Sequence, residues 1–269
     1  MAKYAIIISK KDSASVNIGK NLLELFDFKN NSRSLSLGNV ALYEIEEESI
    51  YCNNLNIEED IIIFASKHKS SSGKPSLSVH VPGNWAKAEL GGRNKILDIA
   101  PASLMKDLFI ELNKQGKGFE GEITLEATHH GPATRKPVLF IEIGSSEVQW
   151  KNEKYGQIIA RTIMNVLLRK RKKYQTAFAI GGGHYPREFN KFLLRTDLAI
   201  GHICPKYALN HLDIGMVKQA LEKTFEPVDF ILLDWKGLGP YKEKVKNIVY
   251  NLNIPVKRVD KILKSLKKS

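Results

Sequence analysis

The stretch Lys3-Tyr4-Ala5-Ile6-Ile7-Ile8-Ser9, followed by the segment from Asp12 to Phe26, sets the reading of the whole chain. Its β-branched run has the length of a strand and reads as one that is largely buried. The segment after it reads as a helix, with Ser13 or Ser15 as the cap. The same alternation continues to the other end. Ile61 to Ala65 is a second buried strand; Pro101 stands where a helix begins, and Leu104, Leu108 and Leu112 then recur at helical spacing. Gly121 to Thr128 and Val138 to Ile143 read as strands, Glu153 to Lys173 as the longest helix, and Thr176 to Ile180 as a strand running into three glycines. A strand over Leu198 to Ile203, a helix near Gly215 to Lys223, a strand over Asp229 to Leu233 and two C-terminal helical stretches complete the order. No repeat or low-complexity linker interrupts it. The expected fold is α/β, a single domain over residues 1–269 built on one mixed, mostly parallel sheet flanked by helices.

The 269 residues are 43% hydrophobic and 26% charged, enough for a sizeable core and outside the disordered and fibrous classes. No stretch approaches the roughly 18 apolar residues of a membrane span, and Met1 to Tyr4 leads into Ile6 without a signal-peptide pattern. The expected location is the cytoplasm, with no membrane partner. Cys52 and Cys204 lie outside any Cys-x-x-Cys pattern, so a metal would be held by histidine and carboxylate. Forty-one Lys and Arg against twenty-nine Asp and Glu leave a charge of +12, which points to a polyanionic partner. The excess gathers in Arg169-Lys170-Arg171-Lys172-Lys173 and in Lys257, Arg258, Lys261, Lys264, Lys267 and Lys268. For the first cluster the competing reading is a solvated helix end that complements the macrodipole.

Candidate chemistry lies mainly beyond strand ends. Ser66 to Asn84 is polar and rich in turn formers, and reads as a long loop that carries His68 and His80. His129, His130, His184 and His202 fall at or just past predicted strands, so loops at the edge of the sheet would bring them together; only His211 stands apart. In Glu126-Ala127-Thr128-His129-His130-Gly131-Pro132, strand alternation directs Glu126 and Thr128 to one face and His129 to the other. A carboxylate and imidazoles in such a run suit zinc, or a base with an orienting partner. Glu142 is a weaker candidate of the same kind. Gly181, Gly182 and Gly183 precede His184 and can present backbone N–H groups to an anion or an oxyanion, although neither the Walker A nor the dinucleotide glycine spacing is present. Lys206 could hold a phosphate or carboxylate. Cys204 reads as a small buried hydrophobe.

These runs resemble the archaeal and plant-type D-aminoacyl-tRNA deacylase family. The resemblance rests on Ser66-Lys67-His68, on Leu77 to Asn84, on Glu126 to Pro132, on Phe140-Ile141-Glu142-Ile143-Gly144-Ser145, on Gly181-Gly182-Gly183-His184-Tyr185, and on Gly201-His202 with Pro205-Lys206-Tyr207. The blocks fall in one order across nearly the whole chain. Pro186 follows Tyr185 directly, where the family pattern leads us to expect a small residue. The resemblance implies hydrolysis of the ester joining a D-amino acid to tRNA, zinc dependence, and a fold similar to peptidyl-tRNA hydrolases and purine-nucleoside phosphorylases. On that basis zinc would be held by some of His68, His80, Glu126, His129, His130 and His184, with His68, His80, His130 and His184 as the leading ligands. Glu126, His129, His130, His184 and the three glycines are the candidate catalytic residues, and His202, Lys206, Arg169, Arg171 and Lys173 the candidate contacts to substrate or tRNA. D-aminoacyl-tRNA is the expected partner of a monomer. A zinc peptidase would leave the basic clusters unused, and a purely RNA-binding module would leave the Glu126 to His130 and Gly181 to His184 runs without a reason.

If the Arg169 to Lys173 cluster touches phosphates, tRNA affinity should fall steeply with salt. Replacing Arg169, Arg171 and Lys173 by Glu is expected to flatten that slope and to raise KM more than it lowers kcat. An unchanged slope returns the cluster to the solvated-helix reading.

Overall fold

The computed structural model describes residues 2–31, 34–170 and 172–266. Strand β1 (Tyr4–Ser9) is buried along its whole length because strands lie on both of its edges and side chains pack on both of its faces. Ile6 and Ile8 enter one apolar cluster and Ala5 and Ile7 another, the alternation that makes the run nearly continuous in sequence. Helix α1 (Ser13–Leu25) follows, capped by Asp12 rather than by either serine. Asp12 Oδ1 accepts the N–H groups of Ala14 and Ser15 at 2.9 and 3.1 Å. Ser15 is occupied elsewhere, accepting from Ser9 N at 2.8 Å and donating to Ala65 O at 2.5 Å.

Three short strands that the hydrophobic pattern did not announce come next: β2 (Lys29–Asn31), β3 (Ser34–Leu37) and β4 (Val40–Ile45). Then follow β5 (Ile61–Lys69), β6 (Ser76–His80), α2 (Ala102–Gln115), β7 (Glu122–Leu125), β8 (Val138–Ser145), α3 (Glu147–Trp150) and α4 (Glu153–Leu167). The eight strands form one sheet in the order β2-β3-β4-β1-β5-β8-β6-β7. Its centre is parallel, whereas β2–β3, β3–β4 and β6–β8 are antiparallel pairs. The remaining elements are β9 (Gln175–Ile180), α5 (Arg187–Arg195), β10 (Leu198–Cys204), α6 (Ile214–Glu222), β11 (Val228–Leu233), α7 (Lys242–Val249), β12 (Val256–Arg258) and α8 (Val259–Ser265). Here the four strands make a second, wholly parallel sheet, β10-β9-β11-β12.

The α/β class and the mixed, mostly parallel strand pairing therefore stand, but with two sheets in place of the single one expected. A continuous apolar cluster joins them: Ile6, Ile63 and Leu139 of the first sheet share it with Ala177, Ala179 and Phe230 of the second. Helix α2 packs on α4 and β6 on one side and on β10 on the other. Helix α4 ends at Leu167, six residues short of the expected Lys173. The basic run offers no apolar side chain for the core, and five adjacent like charges repel within a helix. No helix among the described residues is long and apolar enough to cross a membrane.

Two backbone bonds pin the loop after β7 to the second sheet: Ala127 N donates to His184 O at 2.9 Å and Thr128 N to Ile203 O at 3.0 Å. His202 completes this seam from within. It is fully buried, its Nε2 lies 3.0 and 3.2 Å from the carbonyls of Asp98 and Lys223, and its Nδ1 lies 3.3 Å from Thr128 Oγ1. A side chain so enclosed ties elements together and presents no edge to a substrate or to tRNA, contrary to the expectation for His202.

Burial lowers the pKa of His202 to about 4 from the ordinary 6.5. Above pH 6.5 the ring is neutral in both states, so it contributes no pH dependence there. Below it the unfolded chain takes up a proton that the folded chain refuses, so stability falls as pH drops from about 6.5 towards 4 and levels off beneath, a loss on the order of 3 kcal/mol. Urea unfolding of the wild type and of His202→Gln across that window should show a shallower pH slope for the variant; identical slopes would refute the assignment.

Candidate active site

The site is built first on one face of the larger sheet. Ser66 and His68 of β5, Glu142 of β8, and Ser78 and His80 of β6 share that face, because Ser66, Glu142 and Ser78 lie in register across the three strands. The segment from Ser66 to Asn84 is thus not one long loop: β5 runs four residues beyond Ala65, and β6 carries His80. Cross-strand pairing supplies the regularity that local turn propensity obscures. Phe64 and Phe140, stacked at 4.9 Å between ring centroids, floor the same face, and His80 stacks on Phe140 at 5.2 Å. Ser66 Oγ donates to Glu142 Oε1 at 2.7 Å.

The loop after β7 brings in the rest. Because β7 ends at Leu125, strand alternation lapses before Glu126, and His129 turns back towards it instead of pointing to the opposite face. Glu126 is buried with His184 Nε2 at 2.8 Å, His68 Nδ1 at 3.1 Å and His129 Nε2 at 3.5 Å. Glu142 lies 3.4 Å from His80 Nε2 and 3.7 Å from His68 Nδ1. Five of the histidines expected to converge therefore do so around two carboxylates. His202 is the exception, and His211 lies in the lining of an adjoining cavity.

Burial works against charge on every one of these groups, yet both carboxyls are held well below the usual range by the imidazoles around them. Burial also disfavours the His68 cation, but Glu126 and Glu142 outweigh it and raise its pKa to about 11. His129 and His130 go the other way. Burial and the neighbouring imidazoles depress both, His130 to about 4, so these two rings are neutral.

Three imidazoles share an orientation. Nδ1 of His80, His129 and His130 faces the carbonyls of Val81, Ala127 and Gly131 at 3.3, 2.8 and 2.6 Å. A carbonyl only accepts, so Nδ1 of His129 and of His130 carries the proton and their Nε2 presents a lone pair, whereas His80, in spite of its burial, is held above the ordinary imidazole pKa by Glu142, 3.4 Å from its Nε2. His80, His129 and His130 offer ligand atoms within 4.8 Å of one another, as do His68, Glu126 and His184. His80 Nε2 and both oxygens of Glu126 are buried without a hydrogen-bond partner, because the nearby N–H groups are not directed at them. Buried imidazole and carboxylate groups converging on one space, two of the rings oriented from behind by a carbonyl, are a donor set that suits a metal cation. This cluster is able to hold one.

The glycine turn closes the site from the second sheet. Gly181 and Gly182 take φ of +111° and +79°, where a side chain is strained. The Gly181 N–H donates to Cys204 O at 2.8 Å, which withdraws it from the expected oxyanion role. Gly182 and Gly183 donate to no partner among the described residues and face a cavity of about 600 Å³, together with Lys206. Pro186, directly after Tyr185, caps α5. Two tyrosines not expected to contribute frame His184 and His68: Tyr207 Oη is 3.4 Å from His184 Nδ1, and Tyr185 Oη is 2.6 Å from His68 Nε2. The only sequence sign of them is their place beside the glycine and Pro205-Lys206 runs. Cys204 is wholly buried and its thiol is pushed well up by that burial, as expected of a hydrophobe.

The basic cluster is elsewhere. It precedes β9, whereas the glycine turn follows that strand, so six residues at about 3.3 Å each separate them by about 20 Å. Arg169 lies 3.5 Å from Asp107 and 3.7 Å from Glu111, Lys172 pairs with Asp197, and Lys173 is exposed. Arg171, Lys267 and Lys268 lie outside the described residues.

Comparison with known proteins agrees with this geometry. The family model described as D-aminoacyl-tRNA deacylase matches residues 55–257. The chain is 40% identical over 266 residues to the D-aminoacyl-tRNA deacylase of Thermococcus onnurineus, covering 93% of this chain and 97% of that one. It is 40% identical over 270 residues to that of Pyrococcus furiosus, with the same coverage. A crystal structure of a conserved protein of unknown function superposes with a TM-score of 0.90 at 27% identity, over 98% of this chain and 97% of that chain. The match extends over most of the sequence, including every segment that builds the histidine and carboxylate cluster, and the chain belongs to the D-aminoacyl-tRNA deacylase family.

Proposed function

We propose that this chain hydrolyses the ester between a D-amino acid and the 3′ end of tRNA, freeing both, with a zinc ion held in the cluster. Its relatives bear the name of that reaction. The observation that carries the reading to this chain is Glu126, a buried carboxylate 2.8 Å from the partly exposed His184 and 3.5 Å from His129, which like His130 presents a neutral Nε2. His80, His129 and His130 would hold the ion. Zinc bound there supplies Lewis acidity, which activates water near neutral pH and polarises the ester carbonyl.

The chain's own groups carry the proton and the oxyanion. His184 takes the proton lost by the attacking water at Nδ1, the nitrogen facing Tyr207, while Glu126 beside Nε2 stabilises the imidazolium so formed. The water oxygen bonds to the carbonyl carbon. The bond from that carbon to the ribose oxygen then breaks, and the ribose oxygen takes the proton back from Nδ1. Gly182 and Gly183 donate N–H to the oxyanion, a contribution of about 3 kcal/mol for a well-placed donor. Lys206 holds the approaching nucleotide. Arg169 and Lys173, about 20 Å away along β9, meet the tRNA body at a distance from the ester, and Arg171, outside the described residues, is expected to act with them. The enzyme acts in the cytoplasm, where charged tRNA is used.

Selectivity for the D-centre follows from a stiff wall. His130 is held at φ +44°, and a methyl group on Gly131 would come within 2.2 Å of Gly92 N and 2.5 Å of Ile50 O. This turn has no room to retreat from an L-side chain, whereas the D-side chain points away from it into the adjoining cavity of about 700 Å³, which accommodates many side chains.

D-Tyr-, D-Asp- and D-Phe-tRNA should be cleaved at comparable rates, with L-Tyr-tRNA slower by more than about a hundredfold, roughly 2.7 kcal/mol in the transition state. His184→Ala and Glu126→Gln are each expected to lower kcat by at least about a hundredfold, with a smaller effect on KM. Equal cleavage of D- and L-Tyr-tRNA would sink the proposal. Elemental analysis should find zinc in the purified wild type and a marked loss in His130→Ala. Full activity with no metal remaining after chelation would remove zinc and leave the deacylase reading in place.

A further inference from the structure

Two cavities flank Tyr207, which lines both of them, and the second also reaches His129 and His130 of the cluster. Their chemistries differ. The first, of about 600 Å³, has the open N–H groups of Gly182 and Gly183 at its inner end, Tyr185 and Tyr241 on its sides, and Arg187, Lys206 and Lys236 around it. None of these three cations has a carboxylate partner among the described residues, whereas Glu188 in the same lining is paired with Lys191 at 2.6 Å. Asp234 follows directly on the carboxyl end of β11, and its Oδ1 accepts Gly237 N at 3.0 Å. A methyl group on Gly237 would come within 2.2 Å of Asp234 Oδ2 and 2.5 Å of Gly182 N, so glycine is what lets the two turns close on each other. The second cavity, of about 700 Å³, is lined by His129, His130, Trp85, Leu90 and Ala208, with Lys87 and Glu89 also in its wall; its Lys95 is neutralised by Asp213 at 3.1 Å.

We propose that Tyr207 divides the substrate: the cationic, tyrosine-lined cavity receives the 3′-terminal nucleotide, and the Trp85 cavity receives the aminoacyl group. The assignment rests on the deacylase reading above and says which side of the cluster each half occupies. Unpaired cations suit a phosphate, flat phenol rings suit a base, and a carboxylate just past a parallel strand suits a ribose hydroxyl. The other cavity has two lysines, of which Lys95 is paired, so among the described residues it offers one unpaired cation, Lys87, against three in the first. The ester then lies at the boundary, against His184, whose Nδ1 faces the dividing tyrosine. Both volumes are of the size that small-ligand pockets have.

The test titrates 5′-AMP into the full chain by calorimetry and measures its competition against D-Tyr-tRNA. AMP should bind the wild type and inhibit competitively. Lys236→Glu and Tyr241→Ala, made separately, should each weaken AMP at least tenfold and raise KM for D-Tyr-tRNA by a similar factor, while kcat changes less than threefold. Leu90→Trp, which fills the other cavity, should leave AMP affinity within twofold. Absence of AMP binding, binding untouched by Lys236→Glu and Tyr241→Ala, or binding abolished by Leu90→Trp would overturn the proposal. The titration needs no turnover, so it decides the compartments separately from whether D-Tyr-tRNA is hydrolysed.

Discussion

An ionised carboxylate away from water is tolerated only if its surroundings replace the hydration it loses, and Glu126 sets that requirement for the whole site. Imidazole nitrogens of His68, His129 and His184 stand 3.1, 3.5 and 2.8 Å from its oxygens without hydrogen-bond alignment, and they are delivered by β5, by the loop after β7 and by the glycine turn after β9. Three separate parts of the chain must therefore arrive at one point. The buried seam of Ala127, Thr128 and His202 against the second sheet holds them there, and Gly181 fastens the turn to Cys204.

The same requirement divides the histidines by task. His129 and His130, each with a backbone carbonyl behind Nδ1, keep Nε2 as an acceptor, and burial among other imidazoles keeps both neutral. His68, between two carboxylates and against the Tyr185 hydroxyl, is charged instead. Residues of one type are thus neutral or positively charged according to what stands behind each ring.

Positive charge is distributed along the second sheet as well as around the site. Arg258 is in register with Leu233, and Leu233 with Ile180, so the basic segment at β12 begins at the same end as the glycine turn. The Arg169 to Lys173 run lies at the other end of β9 and is partly neutralised by Asp107, Glu111 and Asp197.

Local patterning was sufficient for the α/β class and for most buried strands, because a run such as Tyr4 to Ile8 or Thr176 to Ile180 has few ways to bury its side chains other than inside a sheet. It also identified Glu126, His129, His130 and His184, since chemistry-bearing residues packed into short runs with glycine and proline are visible one after another. Pairing between distant segments could not be read in this way. Glu142 enters the centre only because β8 lies between β5 and β6 in a particular register, and the strand character of Lys67 to Lys69 and of Ser76 to His80 depends on those neighbours rather than on their own polar side chains. His202 looked equivalent to the other strand-end histidines until burial against two carbonyls separated it from them. The sequence alone determined which residue types are available for catalysis; the meeting of two sheets decided which of them share a point, because a side chain's partners are set by contacts across the core and not by its neighbours along the chain.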